Sequence, residues 1–234
     1  MAKEQKRDEK KKVKKLNKGK VVFTLVFIAL IVVFGIYIYD SIFSKINKPV
    51  KKVTITDEIK EFGYVLEDNE TDLYKDYFKQ LAKTLNGKDE EDIDYDKYAE
   101  LISKLFVADF YNLDNKITKN DVGGLQFIHE DMQENFLLKA KDTMYKNIES
   151  DVYNDRKQEL PVVNEIELDD ITTSKFDYKD SSYDSYEVTL SWNYKKDLGY
   201  DKEKTFTLIK SDKKLWLVES TGTTNNETND KTED

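Results

Sequence analysis

The chain has 234 residues, 38% hydrophobic and 12% aromatic, enough for one packed domain with appendages and too short for two ordinary domains beside a membrane anchor. It has one histidine and no cysteine, which excludes disulfides, thiolate chemistry, cysteine metal sites and any site needing two imidazoles. Residues 1–20 hold ten Lys and Arg against three acidic residues, +7, so the rest of a −9 chain carries −16, a charge that repels nucleic acid and favours solubility or a basic protein partner.

Residues 21–39, VVFTLVFIALIVVFGIYIY, run 19 positions without a charge. As a helix they cover about 28 Å, which predicts a transmembrane span. The positive excess ahead of the run places the N-terminus in the cytoplasm and everything after it outside. The expectation is therefore a single-pass protein of the cell membrane, with membrane contact through residues 21–39 and an extracytoplasmic domain. A cleavable signal peptide is the rival reading, but the residues that follow, YDSIFSKINKP, contain no A-x-A-like cleavage pair. Residues 1–20 then form a basic cytoplasmic tail, and residues 40–54, Lys-rich with Pro49, a linker.

The domain is expected over residues 55–220. Val53-Thr54-Ile55 reads as extended. Asp68-Asn69 offers a cap for a first helix, LYKDYFKQLAKTL, with Leu73, Tyr77, Leu81 and Leu85 at four-residue steps, Tyr74 and Phe78 widening the stripe, and Gly87 as its stop. Asp94 caps a second helix over 95–112, with an apolar stripe of Tyr98, Leu101, Ile102, Leu105 and Phe106. A third helix is predicted from Asp131 to about Ser150, with Phe136, Ala140, Thr143, Met144 and Ile148 on one side.

After Pro161 the apolar spacing falls toward two, the mark of strands. EIELDDITTSKF reads as a long, irregular strand, followed by one with Tyr186, Val188, Leu190, Trp192 and Tyr194 on a single face. KTFTLIK and LWLVES flank a short turn at residues 211–214, completing an antiparallel meander. Helices first and a meander afterwards predict an α+β domain, here a three-helix plus meander roll behind one transmembrane helix. Residues 221–234 have nothing apolar to bury and read as a disordered tail.

Few residues carry a chemical signal. Asp92-x-Asp94-x-Asp96 imitates the first half of a calcium loop, but Lys97 stands where the loop needs Gly and Ser103 where it needs its last carboxylate, so a helix N-terminus is the better reading. His129 lies at a loop-to-helix junction and reads as structural. No G-x-S-x-G elbow or phosphate-cradling loop is present, so no enzyme, catalytic residue, cofactor or metal is expected. The least ordinary stretch holds Asn120, Asp121, Gly123 and Gly124. Its paired glycines suit either a tight turn that sends Leu125 and Phe127 into the core or a partner-contact loop.

The element order, closing on the strand around Trp216, resembles the nuclear transport factor 2-like (cystatin-like) roll across residues 55–220. With a short basic tail and single anchor, the layout is similar to the bitopic assembly subunits of conjugative or type IV secretion systems. That resemblance implies a non-enzymatic interaction or scaffold protein of a bacterial, by composition Gram-positive, cell envelope, with envelope-protein partners, self-association and no nucleic acid. The alternative is a small-ligand-binding or cell-wall-related domain with a pocket in the roll.

Overall fold

The structure, a computed structural model, describes residues 18–46 and 50–222, and the chain divides after Pro49 into two units. Residues 1–17 of the basic tail expected over 1–20, and nearly all of the proposed C-terminal tail, lie outside the described residues.

The first unit contributes one helix, α1 (Lys18–Ile46), whose described apolar side chains, Phe23, Phe34 and Tyr37 among them, are exposed. The transmembrane span expected at residues 21–39 is not found: among the described residues no helix is long and apolar enough to cross a membrane. The single-pass topology, the cell-membrane localisation and the cytoplasmic-to-extracytoplasmic orientation built on that span are corrected with it.

The second unit is α+β. It opens with an antiparallel hairpin, β1 (Ile55–Ile59) and β2 (Tyr64–Glu67), where only a short extended entry was expected. Gly63, at φ +68°, supplies the left-handed turn residue between them. Helix α2 (Asp72–Leu85) is capped by Thr71, whose side chain accepts from Tyr74 N at 3.2 Å. Asp68 is not the cap, because its carboxylate turns back to Thr54, taking the backbone N–H at 3.1 Å and the hydroxyl at 2.5 Å. The buried line along α2 is Tyr74, Phe78, Leu81 and Leu85, with Leu73 and Tyr77 at its edge.

Helix α3 (Tyr95–Phe110) is capped as expected by Asp94, which accepts from Lys97 N at 3.0 Å. It packs against α2 and against the sheet, so burial spreads from the predicted stripe to Ala99, Ser103, Val107, Ala108, Asp109 and Phe110. Helix α4 (Gln133–Asp142) is shorter than the predicted 131–150. A single 3-10 turn, Glu130–Met132, precedes it, and Thr143 leaves helical geometry with ψ −97°. The chain breaks there to bury Tyr145, whose hydroxyl donates to Phe110 O at 2.7 Å.

Strands β3 (Val163–Tyr178), β4 (Ser181–Tyr194), β5 (Glu203–Ser211) and β6 (Lys214–Thr221) form the antiparallel meander in sequence order. Register shifts at Val163/Glu165 and Leu168/Asp170 account for the irregular pattern of β3. Val188, Leu190, Trp192 and Tyr194 of β4 join Phe206 and Leu208 of β5 in the core beneath α3. The ring of Trp192 lies 4.7 Å from that of Tyr111.

Candidate functional site

At the C-terminal half of α3, two features of the second unit combine concavity with chemistry. The first is an aromatic cleft between α3, α4 and β6. Phe106 and Phe110 lie one turn apart on α3, with ring centroids 5.2 Å from each other. Phe136 of α4 reaches both, at 5.9 and 5.1 Å, and Tyr111 meets Phe110 edge-on at 5.0 Å. Ile128 and Leu217 complete the apolar wall, and their segments are joined side by side by a parallel bridge. The resulting cavity is about 410 Å³ and open to solvent, with Asn135, Lys139, Glu219 and Ser220 at the polar part of its lining. That volume falls in the range of small-molecule sites, which pair apolar walls with a few polar groups.

The second feature is a buried ionic knot behind the Gly-Gly loop. Asp109 and Lys116, both nearly inaccessible, form an ion pair, and Gly124 N donates to Asp109 Oδ2 at 2.6 Å. Gly123 N donates to Tyr145 Oη at 3.1 Å, and Ile117 N to Asp121 Oδ2 at 2.9 Å. Gln126 ties the loop to β2 by accepting from Val65 N at 2.8 Å and donating to Val65 O at 3.2 Å. Glu70 is buried beside the pair and accepts from Asn115 Nδ2 at 3.3 Å. Glu67, Glu70 and Asp121 border a cavity of about 220 Å³ with Lys116.

Electrostatics follow from a surplus of carboxylates around one cation. Burial, reinforced by the charge of Asp109, pushes the Glu70 carboxyl up to about 8, so it is largely protonated at neutral pH. Burial also raises Glu67, with Asp109 and Asp121 adding to the effect. For Lys116 burial acts against the charge, but Asp109 and Glu70 outweigh it and hold the ammonium above its ordinary value.

The loop residues singled out from sequence are thus distributed unequally. Gly123 and Gly124 are buried against α3, Asp121 is half-buried and closes its own turn, and Asn120 is exposed. Leu125 packs against the core and Phe127 lies within it. His129 caps the 3-10 turn by accepting from Asp131 N at 3.4 Å, and its ring packs edge-on between Tyr178 and Trp216. Among the described residues no group of three or more His, Asp or Glu is arranged to hold a metal ion. Glu70, Asp109 and Lys116 escaped the sequence reading. A signal existed only for Asp109, an acid within the apolar run LFVADFY of a predicted helix.

Compared with protein-family models, curated proteins and solved structures, the chain finds no match.

Proposed function

We propose that the second unit is a non-enzymatic binding module that takes a small amphipathic molecule in the cleft between α3, α4 and β6. The observation that carries this reading is the open cavity of about 410 Å³ walled by Phe106, Phe110, Tyr111 and Phe136. Aromatic faces left beside open volume forfeit dispersion contacts and burial that a closed core would keep. A flat apolar body restores them, and its polar end then meets Lys139, Glu219 or Asn135 at the mouth.

The test uses the full chain and 8-anilino-1-naphthalenesulfonate, a flat apolar probe with one charged end. Saturable binding at one site is expected, and Ser220→Phe, which fills the mouth, weakens it about tenfold or more while the urea midpoint of unfolding stays in place. No saturable binding, or binding indifferent to the filled mouth, overturns the reading.

The −16 carried beyond residue 20 favours a second reading, a contact surface for a basic protein. It requires that a partner captured by cross-linking in native cells be lost when the cells are opened at about 0.5 M salt before cross-linking.

A further inference from the structure

Lys214 opens β6 directly after the turn at residues 212–213, and its side chain ends against three groups, two on the β1–β2 hairpin and one on β6 itself. Its Nζ donates to Phe62 O, in the β1–β2 turn, at 2.7 Å. The same atom lies 4.5 Å from the ring centroid of Tyr64 on β2 and 3.9 Å from that of Trp216 on β6. Its neighbour Lys213 is ion-paired with Glu61, whereas no ion pair joins Lys214 to a carboxylate among the described residues. Lys214 borders a cavity of about 410 Å³, separate from the aromatic cleft, whose other charged or titratable groups are Glu61, His129, Glu130, Asp212 and Lys213.

This is an unusual setting for an ammonium group. The carbonyl of Phe62 accepts an N–H whether the amine is charged or neutral, so deprotonation keeps that bond and frees a lone pair. The rings and the charge of Glu130 favour the ammonium, but burial weighs more and brings Lys214 down to about 8. An ordinary lysine is almost wholly protonated at neutral pH and a poor nucleophile, and partial desolvation is a recognised way of activating one.

We propose that Lys214 is a carbonyl-reactive amine and that the cavity beside it takes small aldehydes as covalent ligands. The neutral Nζ adds its lone pair to the aldehyde carbon, and the carbonyl π pair moves to oxygen, which takes up one proton as the attacking nitrogen gives one up. The carbinolamine then loses that oxygen as water, with the second proton coming from nitrogen. One C=N bond replaces one C=O bond, one water is released, and nothing is oxidised or reduced.

The experiment treats the full chain with limiting propanal and sodium cyanoborohydride at about pH 7.5 and reads labelling of each lysine by peptide mass spectrometry. Lys214 is expected to label at least about tenfold faster than the exposed Lys119 and Lys157. Lys214→Arg, which keeps the charge and a donor for Phe62 O, is expected to remove the fast-labelling fraction. Labelling of Lys214 at the rate of Lys119 and Lys157, or a fast-labelling fraction that survives Lys214→Arg, overturns the proposal.

Discussion

The backbone N–H of Gly124 donates to Asp109 Oδ2 at 2.6 Å, while Lys116 holds the other oxygen of the same carboxylate. One buried acid therefore fixes both the Gly-Gly loop and the turn that carries Lys116. This ties a surface connection to the last turn of α3, whose neighbouring rings Phe106 and Phe110 form the floor of the cleft.

Gly124 and Gly199 share φ +79°, but a Cβ on Gly124 would stand 2.6 Å from the Phe106 ring, whereas one on Gly199 would meet nothing within 4 Å. Gly199→Ala is expected to cost about 1 kcal/mol, the left-handed backbone penalty alone. Gly124→Ala adds the overlap and is expected to cost about 3 kcal/mol or more. Urea unfolding of the two variants measures the difference, and equal costs would show that the loop can move off α3.

Lys116→Met leaves the Asp109 charge buried without its cation, so a loss of about 3–5 kcal/mol is expected. Adding Asp109→Asn removes the stranded charge while its amide oxygen still accepts from Gly124 N, and a large part of the loss should return. A double-mutant cycle by denaturant unfolding reads the coupling, and additive losses would sink the idea of a paired knot.

Stability should decline from mildly acidic to mildly alkaline pH. The folded value of Glu70, about 8, lies above its ordinary 4.5. Between those values the folded chain holds a proton that the unfolded chain has released, so the unfolding free energy falls as pH rises, by up to about 1.4 kcal/mol per unit. Lys116 acts in the same direction higher up, since stability present below its ordinary 10.5 is lost as pH rises through its raised folded value. Glu70→Gln should flatten the profile between about pH 5 and 8, and an unchanged slope in urea titrations across that range would refute the assignment.

Local chemistry was legible where neighbours in sequence decide the outcome. Asp94 caps α3, the alternation in residues 186–194 sets the inward face of β4, and the turn at 212–213 closes the last hairpin, because each depends on residues a few positions apart. The cap of α2 moved from Asp68 to Thr71 because Thr54, 14 positions away, claims the Asp68 carboxylate. The third helix was cut short because Tyr145 satisfies Phe110 O and Gly123 N, contacts with separations of 35 and 22 residues.

The sequence by itself determined an α+β domain with helices ahead of an antiparallel meander, since hydrophobic period and turn residues are local properties of the chain. The apolar run at 21–39 was equally plain in sequence, but an uncharged stretch specifies composition, and the structure shows no described helix of membrane-spanning length and apolarity. Only the tertiary structure decided which ionisable groups are buried together. Glu70, Asp109 and Lys116 meet across 46 residues of sequence, and Lys214 finds Phe62 across 152. Burial and charge pairing depend on what packs over a side chain, and that covering comes from distant segments once the core has closed.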